Sequence, residues 1–272
     1  MPVLIPVTRL DETPWAMWLS CSETQLFHIN EPESGLFIAE SPNVIERAMH
    51  AGYTPISFLI DRRQMNGHVQ ALLDASGEIP VYVGDADALN QVRGLHLTRG
   101  VLCAMRRRPQ NPLAPDSPLG KRIAVLENIM NPTNLGAIFR SAAALGVDAV
   151  LLTSGCTDPL YRRTARVSMG TVFQVDWAYL PDAPDAAEAV KWLRSIGYRT
   201  AAMALSKDAV SIDSLQISKA EKLAIVLGTE GEGLAPETVR ACDDVVCIPM
   251  ANGVDSLNVA AASAVAFWQL RG

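Results

Sequence analysis

Three loops in the second half of the chain constrain its fold more than any other feature. They are Asn128-Ile129-Met130-Asn131-Pro132-Thr133-Asn134-Leu135-Gly136 running on to Arg140, Leu227-Gly228-Thr229-Glu230-Gly231-Glu232-Gly233-Leu234, and Ile248-Pro249-Met250-Ala251-Asn252-Gly253-Val254-Asp255-Ser256-Leu257-Asn258. Each follows a short apolar run (residues 123–126, 223–227 and 245–248) and leads into a helical pattern. Strand, permissive loop and helix in that order build an open parallel sheet, and such a sheet presents its ligand crevice at the carboxyl ends of its strands. The three loops are therefore expected to meet in space.

The 272 residues, 49% of them hydrophobic and 19% charged, suit globular cores and allow two domains. Residues 1–20 carry Arg9, Asp11 and Glu12 before any sustained apolar run, which fits neither a secretory signal nor a spanning helix, so a cytoplasmic location is expected. The five cysteines (Cys21, Cys103, Cys156, Cys242, Cys247) are scattered without Cys-x-x-Cys or nearby histidine spacing, so reduced thiols and no metal site are expected. A net charge of −6 and a pI near 5.3 exclude non-specific adhesion to nucleic acid through a general basic field. Positive charge is instead concentrated at Arg106-Arg107-Arg108, Lys121-Arg122, and Arg162-Arg163 with Arg166.

Along the chain, residues 36–39 form a strand, and Ser41-Pro42 supplies an N-cap and a first-turn proline for a helix that stops near Gly52. Short apolar strands continue at 55–60, 81–83 and 101–105, separated by helical stretches around 69–73 and 86–92. Pro109, Pro112, Pro115 and Pro118 then stand among polar residues, which makes a stiff extended linker. The expected organisation is a first α/β domain over 1–108, a linker over 109–120 and a second α/β domain over 121–272. In the second domain a strand starts at Ile123, a helix covers 135–145, a strand covers 148–153, and a last helix covers 257–270. That last helix is apolar nearly all round, which predicts burial against the sheet and a partner subunit.

The order Asn134…Arg140, Leu227-Gly-Thr-Glu-Gly231, Ile248-Pro-Met…Ser256-Leu257-Asn258 resembles the three signature motifs of the SpoU (TrmH-like) class of SPOUT RNA methyltransferases. The resemblance covers roughly residues 34–272. It implies a C-terminal SPOUT-type α/β knot, a parallel sheet tied as a trefoil that hydrophobic pattern alone would not suggest, and an obligate homodimer. It also implies the cofactor S-adenosyl-L-methionine and methylation of a ribose 2′-hydroxyl. The first domain resembles the smaller L30e-like substrate-binding module that precedes many such domains, through Leu36-Phe-Ile-Ala-Glu40, residues 44–48 with Ala51-Gly52, Val81-Tyr-Val83 and Arg99-Gly-Val101. Where that module usually carries Glu-Gly after its first strand, this chain has Glu40-Ser41. Residues 1–33 resemble nothing in either family.

By the same resemblance Asn134, Arg140, Glu230, Ser256 and Asn258 form the catalytic cluster, while Gly228, Ile248 and Leu257 hold the cofactor. The residue chemistry is compatible. All four histidines precede the linker, so the second domain has no imidazole for a serine-histidine or histidine-metal mechanism. Glu230 and Glu232 would repel a phosphate, which excludes a phosphate-cradling loop and suits a neutral or cationic ligand. A guanidinium stays protonated in proteins, so Arg140 fits stabilisation of a developing alkoxide or a phosphate clamp better than the role of base. Proton acceptance is left to Glu230, water or the RNA phosphate. Asn134 is also a candidate helix N-cap. Arg106, Arg107, Arg108, Arg163 and Arg166 are the expected RNA contacts, with solvated surface charge as the alternative. Ribosomal RNA leads as substrate; transfer RNA, or a catalytically silent RNA- or cofactor-binding scaffold, is the alternative.

Overall fold

The computed structural model describes residues 2–29, 35–89, 100–108, 119–180, 186–206 and 208–271, which divide into two compact units. The first unit contains β1 (Val3–Val7), α1 (Pro14–Ser20), α2 (Glu23–His28), β2 (Leu36–Glu40), α3 (Pro42–His50), β3 (Thr54–Asp61), α4 (Gly67–Ala75), β4 (Pro80–Gly84), α5 (Ala86–Leu89) and β5 (Val101–Arg106). Its five-stranded sheet has the order β1-β4-β3-β5-β2, with β5 antiparallel to both neighbours. The N-terminal stretch that matched no pattern is part of this sheet: β1 pairs in parallel with β4. Trp15, fully buried, packs with Leu10, Leu26, Ile38, Leu59 and Leu102, and its indole N–H donates to Ser57 Oγ at 3.1 Å. Leu10, Trp15 and Leu26 thus cover one face of the sheet, against Ile38, Leu59 and Leu102. The expected linker at 109–118 and the end of the stretch at 86–92 lie outside the described residues.

The second unit contains β6 (Arg122–Leu126), α6 (Pro132–Ala144) and β7 (Ala149–Leu152); α7 (Arg162–Val167), next in the chain, belongs to the first unit. It continues with β8 (Asp176–Tyr179), α8 (Ala187–Ser195), β9 (Arg199–Met203), β10 (Val210–Ser211), α9 (Leu215–Ser218), β11 (Leu223–Leu227), α10 (Pro236–Ala241), β12 (Asp244–Cys247) and α11 (Val259–Gln269). Seven strands run in the order β10-β12-β9-β11-β6-β7-β8, and every pairing is parallel. The central strands β6 and β11 are continuous apolar runs because both faces of the sheet are covered, and β11 is buried at every position. From β11 the chain crosses β9 to reach β12, and α11 then returns to pack on α6 and β11.

The division departs from a single cut at the linker. The segment Leu160–Phe173, which sequence order places in the second domain, packs with the first unit. The Glu40 side chain is fully buried and accepts from Arg162 Nε at 2.9 Å and from Arg166 Nη1 at 3.3 Å. Those two arginines lie one helical turn apart on α7, so both reach the same carboxylate. Arg47 adds a bond to the Met169 carbonyl at 2.6 Å, and Phe173 stacks among Phe37 and Tyr53.

Ser41 occupies the expected N-cap position of α3 but makes no capping bond. Its backbone lies at φ 89° and ψ 147°, a region populated almost only by glycine. The residue is 2% exposed, and its hydroxyl has no hydrogen-bond partner among the described residues. Serine therefore stands where the backbone demands the glycine of the related module.

Candidate active site

Parallel strands place their carboxyl ends at one edge of a sheet, so β6, β11 and β12 deliver all three expected loops to the same side of the second unit. β6 and β11 are direct neighbours with Leu227 beside Leu126, and β12 lies one strand beyond β9. The first loop is fixed from below. Asn128 N–H donates to Thr153 Oγ1 at 3.0 Å, Ile129 N–H donates to Cys156 Sγ at 3.3 Å, and the Cys156 thiol donates to the Leu126 carbonyl at 3.2 Å. Burial pushes the Cys156 thiol up from its ordinary pKa, so this cysteine holds a loop rather than acting as a nucleophile.

The N-cap of α6 is Asn131, whose side chain accepts from Thr133 N–H at 2.9 Å, with Pro132 in the first turn. Asn134 is therefore not the cap. It sits inside the first turn, nearly buried, and its Oδ1 accepts from Asn258 Nδ2 at 3.2 Å. The same Asn258 amide donates to Glu230 Oε1. Meanwhile Asn258 Oδ1 caps α11 by accepting from Ala260 N–H at 2.9 Å. One side chain thus starts the last helix and joins the first loop to the second. Arg140, further along α6, is exposed and has no hydrogen bond or ion pair among the described residues. Ser256 is exposed in the third loop and is not joined to this network.

The second loop doubles back on itself through a bridge between Thr229 and Gly233, with Gly231 at φ 91° and Gly233 at φ 74°. A Cβ on Gly228 would lie 2.3 Å from the Gly233 carbonyl carbon, so only glycine allows the loop to close. Ile248 is half-buried directly after β12, and Leu257 is exposed at the end of the third loop. The loop backbone, these two apolar side chains and the acidic rim of Glu230 and Glu232 fit a ligand with a flat apolar ring and a positive charge. Among the described residues no group of three histidine, cysteine or acidic side chains is arranged to hold a metal ion.

A carboxylate that sequence reasoning missed lies directly before the first loop. Glu127 is 1% exposed, and it accepts from Ala186 N–H, Ala235 N–H and the Thr238 hydroxyl. Its signal was present as an acidic residue closing the otherwise apolar run 123–126.

The expected RNA contacts separate. Arg107 is 4% exposed, donates from Nε to the Leu36 carbonyl at 3.2 Å and lies over the Phe27 ring, which corrects its assignment to a phosphate. Arg166, like Arg162, is engaged by Glu40, so its charge serves packing of α7 on β2. Arg108 donates to the Ala51 carbonyl at 2.5 Å and lies over Tyr53. Arg106 and Arg163 are exposed, and Arg163 has no ion pair among the described residues.

Parallel β-strands whose carboxyl-end loops converge on a small asparagine and glutamate cluster define a SPOUT-type α/β methyltransferase domain, here following a smaller α/β unit. Comparison with known proteins agrees: the description of the SpoU rRNA Methylase family matches residues 121–268. An uncharacterized tRNA/rRNA methyltransferase of Mycobacterium bovis is 40% identical over 238 residues, which cover 86% of this chain and 80% of that protein. The 23S rRNA (guanosine-2′-O-)-methyltransferase RlmB of Acinetobacter baylyi is 29% identical over 199 residues, 70% of this chain and 77% of that protein. An AdoMet-bound rRNA methyltransferase from Sinorhizobium meliloti superposes with a TM-score of 0.77 over 98% of this chain and 97% of its own, at 24% identity. The chain belongs to the SpoU family of RNA methyltransferases, whose methyl donor is S-adenosyl-L-methionine.

Proposed function

We propose that this enzyme methylates a ribose 2′-hydroxyl of ribosomal RNA, acting as a cytoplasmic homodimer. The observation that carries the catalytic assignment is the bridge from Asn134 through Asn258 to Glu230, with Arg140, on the same helix as Asn134, left without a partner among the described residues. Bound S-adenosyl-L-methionine supplies an electrophilic methyl group on a sulfonium. Gly228, Ile248 and Leu257 hold the cofactor through backbone groups and apolar contact. Asn258 fixes the Glu230 carboxylate, which is exposed and takes the proton as the hydroxyl attacks. Arg140 stabilises the developing alkoxide or the adjoining phosphate, and Ser256 lines the same cleft.

In this reading residues 1–108 together with 160–173 form the RNA-binding unit and the rest of 121–272 the methyltransferase domain, with Arg106, Arg108 and Arg163 at the RNA. Ribosomal RNA is favoured by the L30e-like first unit and by the substrate of the RlmB relative. Dimerisation is supported by apolar residues left exposed on the second unit, Met130, Val254, Leu257, Val265 and Trp268. The decisive test replaces only the target nucleotide by its 2′-deoxy form, after mass spectrometry of RNA from a deletion strain has located it. Binding should persist and turnover should vanish; methylation of the deoxy substrate would place the acceptor on a base and overturn the reading.

A further inference from the structure

We infer that Glu127 is a positioning residue for the cofactor loop, setting the separation of the two ends of the 228–234 segment. The inference rests on the cofactor assignment above and deepens it. Its main-chain N–H donates to the Leu227 carbonyl at 2.9 Å, at the entry to that loop. Its Oε2 accepts from Ala235 N–H at 3.1 Å, at the exit. Oε1 accepts from the Thr238 hydroxyl at 3.1 Å and from Ala186 N–H at 3.2 Å, so the carboxylate is itself held by α10 and by the residue before α8. One residue therefore grips both ends of a seven-residue excursion that carries Gly228 and Glu230.

The choice of a carboxylate follows from the donors. All three groups aimed at the side chain donate, the site is buried, and among the described residues no cation pairs with Glu127. An ionised carboxylate accepts all three bonds, and such bonds are stronger than neutral ones. Glutamine has the same shape but only one acceptor oxygen. If its oxygen stays with Ala235, its amide turns toward Ala186 N–H, and two donors face each other.

The loop then relaxes at one end, and the cradle that Gly228 closes is lost from the bound geometry. Asn134, Asn258 and Arg140 do not depend on these bonds, and Glu230, although it lies on the loop, is held separately by the Asn258 amide. The effect should therefore fall on cofactor binding rather than on chemistry.

The test uses the full-length protein with Glu127→Gln, Thr238→Val and Thr238→Ser. Calorimetry should give Glu127→Gln a Kd for S-adenosyl-L-methionine raised about tenfold, the expected result of losing one buried charged acceptor. KM for the cofactor should rise in parallel, with kcat at saturating cofactor and Kd for RNA within about twofold of wild type, small beside that cost. Thr238→Val should shift cofactor Kd in the same direction, and Thr238→Ser, which restores the hydroxyl, should return it to the wild-type value. Unchanged cofactor affinity in a folded Glu127→Gln protein, or a loss of kcat instead, would overturn the inference. If Glu127→Gln does not fold, an unchanged Kd in Thr238→Val overturns it equally. Failure of the wild-type protein to bind the cofactor would reject the underlying assignment instead.

Discussion

Replacing Ser41 by glycine should stabilise the protein, although the change removes a buried side chain. The backbone at φ 89° costs a residue with a Cβ about 1–3 kcal/mol. The hydroxyl, 2% exposed and without a partner among the described residues, adds a desolvation cost of about 1–2 kcal/mol. Against this, glycine gives the unfolded chain more freedom, at about 0.4–1 kcal/mol. The net gain for Ser41→Gly is then about 1–4.5 kcal/mol, or about 2–4 °C per kcal/mol in Tm for a chain of this size. Ser41→Ala separates the two causes, because it deletes the hydroxyl but keeps the Cβ. It should gain only the hydroxyl's share, about 1–2 kcal/mol. Urea unfolding followed by tryptophan fluorescence is a suitable assay, since Trp15 is fully buried in the same unit. If Ser41→Gly is no more stable than Ser41→Ala, the positive φ costs nothing and the reasoning fails.

Arg140→Ala should abolish methyl transfer while S-adenosyl-L-methionine affinity measured by calorimetry stays near wild type; parallel loss of both would remove Arg140 from the acceptor side. Arg163→Ala should make the log–log salt dependence of RNA binding shallower by about 0.7–0.9, one phosphate contact, whereas an unchanged slope returns Arg163 to solvated surface. Hydrogen bonds from the Arg63 side chain, then from its main-chain N–H, hold the Asp61 carboxyl below its usual pKa of 3.8. Because the folded value is the lower one, this bond contributes stability above the usual carboxylate value, and the contribution is lost as pH falls from there through the folded value. Asp61→Asn should therefore be less stable than wild type at neutral pH and show a flatter acid loss in urea midpoints; parallel profiles would contradict this. Trp268, 52% exposed on α11, should lie in the dimer interface, so Trp268→Glu should sediment as a monomer where wild type sediments as a dimer.

Local rules read from the sequence determined the strand ends and the loop chemistry of the second domain. Continuous apolar runs at 123–126 and 223–227 became β6 and β11 because a parallel sheet covered on both faces selects such runs. The glycines and asparagines after them marked where the backbone turns, and three of the five expected catalytic residues, Asn134, Glu230 and Asn258, are joined by hydrogen bonds. Tertiary structure decided what required partners distant in the chain. Residues 2–29 gained their role only when β1 found β4, and a two-tryptophan segment has no periodicity that announces a strand partner 77 residues away, from Val3 to Pro80. Arginine identity could not separate phosphate contacts from packing, since a guanidinium serves both. Only burial of Glu40 and the stacking on Phe27 assigned Arg166 and Arg107 to packing within the first unit. Glu127 was visible as a charge at the end of an apolar strand, but its three donors come from residues 59 to 111 positions away, and no local pattern encodes their meeting.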